Sequence, residues 1–293
     1  MYDQILFPTD GSEGADVALE HVLDVAERHG ASVHVLNVAD TKRDSVVQLQ
    51  GEVIDALEEE GEDVVQRAAA RATERRVDVV TEVLQGAPDE TIVDYADSRD
   101  VDLIVLPTHG RRGLPRFLLG SVTERVLRRS PVPVLTMRPA EVGDVRYPYE
   151  DVLVPTDGSE CARDALSVGA DVALDEGADL HLLSVIATTS LGADVRTDVM
   201  RAELEASANR ILEEAAESAS AAGVDPVSTT VEYGPSIHEA ILSYIEERNV
   251  DLVVVGTHGR TGLGRYLLGS VTDYLVRTSP VPVLTVRGGE RAE

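Results

Sequence analysis

Residues 256–272, GTHGRTGLGRYLLGSVT, stand between a short apolar run, Val250 to Val255, and a segment from Ser270 to Arg277 that Pro280 brings to an end. The order is a strand, a glycine-rich loop and the start of a helix. Such a loop presents unpaired backbone N–H groups and the positive end of a helix dipole at the carboxyl edge of a parallel sheet, where an anion can sit. Residues 107–123, PTHGRRGLPRFLLGSVT, are a near copy. The chain uses the device twice.

The repetition extends in both directions. Residues 5–12 read ILFPTDGS and residues 152–159 read VLVPTDGS. Each predicts a buried strand, a turn, and a helix whose first N–H groups Ser12 or Ser159 can cap. Both helices run to a glycine, Gly30 or Gly177, suited to the left-handed residue that ends a helix. Second strands follow at 32–38, SVHVLNV, and 179–185, DLHLLSV. Polar segments of differing sequence come next, at 39–52 and 187–198, and then long helices. Met200, Leu204, Ala208, Ile211 and Ala215 fall at helical spacing as the apolar stripe of the second of these, and 58–63, EEEGED, reads as the solvated part of the first.

Third strands are predicted at Val77 to Leu84 and Val227 to Tyr233, with third helices carrying Ile92, Val93 and Tyr95, or Ile241, Leu242 and Tyr244. Fourth strands run from Val101 to Leu106 and from Val250 to Val255. Each half closes on SPVPVLT, from Ser130 and from Ser279, and proline in a strand pattern confines that strand to an edge. The expected architecture is α/β, in two tandem domains at 1–141 and 148–293 with a linker between. Each would be a five-stranded parallel sheet of order 3-2-1-4-5, helices on both faces, with a crevice between the carboxyl ends of strands one and four.

Composition bounds the function. A length of 293 residues admits about two domains. A formal charge of −27 repels nucleic-acid backbones and anionic membranes, which excludes both as main partners. Of 26 basic residues only Lys42 is lysine. An acidic, arginine-based surface suits a cytoplasm of multimolar salt, where charge is screened within roughly 3 Å; the plainer reading is an acidic protein of ordinary salt. Cys161 is the single cysteine, so no internal disulfide forms. The N-terminal stretch has no signal-peptide pattern and no apolar run approaches ~18 residues, so cytoplasmic residence is expected.

These residues resemble a known family, the universal stress proteins, whose nucleotide-binding members carry Gly, two residues, Gly, nine residues, Gly, then Ser or Thr. Gly256, Gly259, Gly269 and Ser270 match that spacing. The resemblance covers nearly the whole chain and implies tandem flavodoxin-like (Rossmann-like) domains that bind ATP, or another adenine nucleotide, with Mg²⁺. It implies that Asp157, in the Thr156-Asp157 turn, bonds the ribose and that the backbone of Val185 meets the adenine edge. Gly256 and Gly259 would let the main chain approach the nucleotide, while Gly269, Ser270 and Val271 would meet the phosphates. The matching first-half positions are Thr9, Asp10, Val38, Gly110, Gly120, Ser121 and Val122. That half departs from the pattern at Pro107 and Pro115, which replace Gly256 and Gly264, and Pro107 removes an N–H where the motif opens the backbone. In single-domain relatives the fifth strands make a homodimer, so an internal pairing of the halves is implied, with further self-association and an unidentified protein partner.

Plainer readings stand beside these. Ser121 with Glu124, and Ser270 with Asp273, form capping-box patterns. Asp10 and Asp157 suit turns that bond their own backbone. His109 and His258 suit loop packing or nucleotide contact better than catalysis, and Arg260 and Arg265 suit either phosphate or solvent. His34 and His181 read as pleat residues. There is no Gly-Lys-Ser/Thr loop, kinase lysine, CxxC, HExxH or G-x-S-x-G. The expected function is an ATP-binding regulatory module of the stress response. The alternatives are a slow ATPase or phosphotransferase using Asp157 or His258, and an interaction protein without nucleotide.

Overall fold

Strand and helix alternate throughout the computed structural model, which describes residues 1–40, 52–109, 119–138, 145–188, 197–258 and 268–288. The chain divides into two compact units, Met1–Tyr147 and Pro148–Glu293. The first unit runs β1 (Gln4–Pro8), α1 (Glu13–His29), β2 (Ser32–Asp40), α2 (Glu52–Glu74), β3 (Val79–Gly86), α3 (Pro88–Ser98), β4 (Leu103–Pro107), α4 (Ser121–Arg129) and β5 (Val134–Met137). The second repeats it as β6 (Asp151–Pro155), α5 (Glu160–Glu176), β7 (Asp179–Ala187), α6 (Thr197–Ala221), β8 (Val227–Gly234), α7 (Ile237–Arg248), β9 (Leu252–Gly256), α8 (Ser270–Thr278) and β10 (Val283–Val286).

Within each unit the strands are parallel, in the orders β3-β2-β1-β4-β5 and β8-β7-β6-β9-β10. Crossover helices cover both faces of each sheet, with α1 beside α2 and α3 beside α4. The central strands are wholly buried: Ile5, Leu6, Leu103 and Ile104 in one unit, Leu153, Val154 and Val253 in the other.

Local signals at the first helices behave as the sequence predicts. Ser12 and Ser159 cap α1 and α5, their hydroxyls accepting the N–H groups of Ala15 and Ala162 at 3.3 Å. Gly30 and Gly177 end these helices at φ 67° and 72°, where a side chain would be strained. The strand limits differ from expectation for identifiable reasons. β2 and β7 extend to Asp40 and Ala187 because β3 and β8 pair with them to Gly86 and Gly234. β4 and β9 begin two residues late because Asp102 and Asp251 turn their carboxylates onto neighbouring N–H groups, those of Asp3 and Gln4 at 2.8 Å and of Glu150 and Asp151 at 2.8 and 3.1 Å. Pro133 and Pro282 lie just before β5 and β10 and not within them, and their carbonyls accept from Ile104 and Val253 N–H.

The buried stripe of α6 is Ala208, Leu212, Ala215 and Ala219, whereas Met200 is 47% exposed. A helix of 25 residues is about 37 Å long, against about 30 Å for the 9-residue strand beneath it, so its first turns overhang the sheet. Tyr147, read from sequence as linker, packs edge-on against His21 of α1 at 5.3 Å between ring centroids.

Gly256 closes β9 where α5 begins. A Cβ on it would stand 2.7 Å from Cys161 O and 2.9 Å from Cys161 C, so the glycine admits the helix backbone itself. Because backbone and not a flexible side chain is struck, Gly256→Ala is expected to lower stability by about 2 kcal/mol in urea unfolding.

His21 is buried in α1, and burial pushes its imidazole pKa down from 6.5 to about 4. The unfolded chain therefore binds the extra proton between these values. The stabilisation is complete above about pH 6.5 and is lost as pH falls to about 4. His21→Gln is expected to reduce the loss of stability over that interval by about 3 kcal/mol, read from unfolding curves at successive pH values.

Candidate functional site

In both units the pairing of the two central strands ends early. The last rungs are Leu6 with Ile104 and Leu153 with Val253, and beyond them the carboxyl ends separate. This is the point of the sheet where the winding reverses.

The turn after β1 is built from its own side chains. Thr9 Oγ1 accepts Gly11 N–H at 3.2 Å and Asp10 Oδ1 accepts Ser12 N–H at 3.1 Å; Thr156 and Asp157 do the same at 3.2 and 2.9 Å. The turn reading of Asp10 and Asp157 thus holds. Gly11 and Gly158 take φ 69° and 75°, which completes the bend. Thr9 N–H bonds Leu36 O at 2.9 Å, and Thr156 N–H bonds Leu183 O at 2.8 Å.

Those bonds orient the next strand. Val33 N–H donates to Asp78 O, towards β3, while Leu36 O accepts from the β1 side. Successive strand residues turn their peptide groups to alternate sides, so Val38, two beyond Leu36, turns its N–H and C=O towards the side where β1 has already ended. Val185 stands in the same relation to Leu183. Each unit thereby holds one backbone donor and acceptor at the crevice.

Facing them is the start of the fourth helix. Gly120 and Gly269 are the N-caps of α4 and α8, and neither helix has a side-chain cap. Ser121 and Ser270 are first helical residues, so the capping-box reading is corrected. Their partners are engaged elsewhere: Glu124 accepts from Arg128 at 2.6 Å and Asp273 from Arg277 at 2.8 and 2.9 Å. By contrast α1, α5 and α7 are capped by Ser12, Ser159 and Ser236. Among the described residues, the N–H groups of Ser121 and Val122, and of Ser270 and Val271, have no partner.

The glycine N–H groups are used differently from the expectation. Gly120 N–H donates to Thr108 O at 2.8 Å and Gly269 N–H to Thr257 O at 2.7 Å. Thr123 and Thr272 hydroxyls add bonds to Pro107 O at 3.0 Å and Gly256 O at 2.7 Å. These two bonds clasp the feet of the loop. A Cβ at 120 or 269 would press on the same threonine carbonyl at 3.2 or 3.1 Å, so the glycines serve close approach.

In the first unit these parts surround a cleft of about 460 Å³. Thr9, Asp10, Val38, Gly120, Ser121 and Val122 all line it, with Leu57, Pro88 and Ile92 as apolar walls. Pro107 lines it too, and its missing N–H costs no ladder bond because β1 and β4 have already parted. Gly256 faces Cys161 on α5, so its lack of a side chain answers a packing demand; the position equivalent to Cys161 in α1 is Gly14. Gly110, Gly259, Arg260, Arg265, Pro115 and Gly264 lie outside the described residues.

Sequence reading missed two cleft residues. Asn37 is buried and its Nδ2 donates to Thr9 O at 2.8 Å, bracing the turn. Gly61, inside α2, makes room for it, since a Cβ there would stand 2.7 Å from Asn37 Oδ1 and 2.9 Å from Val83 Cγ1. A glycine within an otherwise helical pattern was the available signal. Among the described residues no helix is long and apolar enough to cross a membrane.

The sequence profile of the universal stress protein family matches residues 1–138 and again 148–287. A universal stress protein of Mycobacterium tuberculosis is 31% identical over 239 residues, 78% of this chain and 78% of that protein. One from Methanocaldococcus jannaschii is 36% identical over 141 residues, 47% of this chain and 83% of that protein. The crystal structure of a universal stress protein from Archaeoglobus fulgidus aligns at a TM-score of 0.74 and 27% identity, covering 98% of each chain. With the same profile matched in both halves and a relative sharing most of its length, the chain belongs to the universal stress protein family and carries the family's domain twice.

Proposed function

We propose that each half binds an adenine nucleotide, ATP foremost, at the carboxyl end of its sheet, and that occupancy biases the protein's conformation or its choice of protein partner in a stress response. The observation that carries this reading is the first unit's cleft, where a carboxylate turn, an outward-facing strand backbone and an uncapped helix N-terminus converge. Each part suits one part of the ligand. The N–H and C=O of Val38 and Val185 match the donor and acceptor on the adenine edge. Asp10 and Asp157 suit the ribose hydroxyls. The N–H groups of Ser121 and Val122, and of Ser270 and Val271, suit phosphate oxygens at the positive helix end, with the serine hydroxyls beside them.

Leu57, Pro88 and Ile92 give the first cleft apolar walls for a base. Gly120 and Gly269 contribute by close approach, since their N–H groups are already bonded. Mg²⁺ enters this reading as the counter-ion of the triphosphate. A cytoplasmic setting belongs to the proposal as well, in keeping with the single, unpaired Cys161.

Calorimetric titration of nucleotide-free protein with Mg-ATP is expected to give two sites per chain. One site would restrict the reading to one half, and none would overturn it. Ser270→Asp separates ligand binding from folding, because an acidic residue in the first turn favours the helix dipole while repelling phosphate. The variant is expected to keep or slightly raise the melting temperature and to lose the second site, with affinity down at least about 10-fold. Unchanged affinity would place the phosphates elsewhere.

A further inference from the structure

Inside each unit a histidine of the second strand meets a tyrosine of the third helix. His34 Nδ1 lies 2.9 Å from the Tyr95 hydroxyl and His181 Nδ1 lies 3.1 Å from that of Tyr244, and all four residues are buried. Each unit adds one carboxylate to the pair, at opposite ends. In the first unit it is Glu82 of β3, two residues beyond the register partner of His34, which accepts from Tyr95 at 3.3 Å and from Arg99 at 2.6 Å. The second unit has Thr230 at that place, and its carboxylate is Asp151 of β6, 2.9 Å from His181 Nε2. Gln4 is the first unit's counterpart of Asp151, each standing two residues before the register partner of its histidine.

A carboxylate only accepts, so its position fixes the protons. Tyr95 gives its one proton to Glu82, and His34 Nδ1–H is then the donor between ring and phenol. Burial, helped by the Glu82 charge, pushes the Tyr95 hydroxyl up to about 12, which keeps that proton in place. In the second unit His181 Nε2–H donates to Asp151, and Nδ1 accepts from Tyr244. The same pair runs in opposite directions.

Acid separates the two arrangements. A proton added to His181 goes to Nδ1 while Nε2–H stays on Asp151; Tyr244 becomes the acceptor and passes its hydroxyl proton to Thr230 Oγ1, 3.5 Å away. The cation near this site is Arg248, 5.7 Å from the centre of the Tyr244 ring. A proton added to His34 goes to Nε2, which has no partner among the described residues, and Gln4 stands where the second unit has a carboxylate. Burial first, then the Arg99 charge, hold the His34 imidazole below its ordinary 6.5, with Glu82 acting the other way. The unfolded chain therefore takes the proton first, and stabilisation present above about pH 6.5 is lost as pH falls.

We propose that acid loosens α3 from β2 in the first unit while α7 keeps its hold on β7 in the second. Because α3 carries Pro88 and Ile92, walls of the first cleft, acidity is registered at that cleft, with or without a ligand in it.

The test is amide hydrogen exchange of the full chain at about pH 7.5 and about pH 5, each rate corrected for its intrinsic pH dependence. His21→Gln serves as the background, so that the buried imidazole of α1 does not contribute. Protection of α3 amides is expected to fall at least about 10-fold more than that of α7 amides. Gln4→Asp gives His34 the carboxylate that His181 has, and should restore α3 protection to within about twofold; Asp151→Asn should carry the loss over to α7. Equal loss in both units, or an α3 loss that Gln4→Asp leaves unchanged, overturns the proposal. The tautomers are read on the unaltered protein, whatever the variants do. Long-range ¹H–¹⁵N correlations at about pH 7.5 should place the ring proton on Nδ1 of His34 and on Nε2 of His181, and the same tautomer in both also overturns it.

Discussion

The central strands of each half stay in register for only two residue pairs. β1 and β4 pair at Ile5 with Leu103 and at Leu6 with Ile104, β6 and β9 at Val152 with Leu252 and at Leu153 with Val253, and the strands then part. A parallel sheet wound in both directions from one strand must send its two crossovers to opposite faces at that point, and nothing then covers the carboxyl ends between them. The Thr9-Asp10 turn, the end of β2 and the start of α4 all reach this gap because each continues from one of the strands beside it. The cleft follows from topology before any side chain is chosen.

Side chains then keep the gap open and polar on its rim. The turn after β1 bonds to itself through Thr9 and Asp10, so it needs no partner from across the crevice. The loop before α4 is closed at its feet by Gly120 N–H on Thr108 O and by the Thr123 hydroxyl on Pro107 O. With the cap position occupied by glycine, the next two N–H groups find no partner among the described residues. A helix end without a side-chain cap leaves its N–H groups to water or to an anion.

The two halves solve the same packing problem with different residues. Gly256 admits the backbone of Cys161, whereas the first half places Pro107 at the corresponding point and Gly14 on the helix. A glycine prized as part of a binding pattern thus also answers to a helix on its far side. Read as a binding residue alone, Gly256 makes Pro107 look disabling; read with its neighbours, Pro107 sits beyond the last rung of the ladder and lines an open cleft.

Much of this was legible in the chain. Periodicity of 2 and 3.6 with Gly and Ser at helix ends dictated the alternation of strands and helices, because those signals act over one or two turns of backbone; Ser12, Gly30, Ser159 and Gly177 are where such local rules suffice. The doubled Thr-Asp-Gly-Ser and Gly-Ser-Val-Thr stretches marked the crevice for the same reason. What the linear pattern did not contain was which donor meets which acceptor across elements. That Ser121 and Ser270 are helical and not caps, that Gly269 N–H is taken by Thr257, that Asn37 braces Thr9 over Gly61, and that Gly256 faces Cys161 depend on atoms far apart in sequence. Local propensity set the elements; only tertiary packing, which decides contact at the scale of a single Cβ, decided which of their polar groups are bonded to one another.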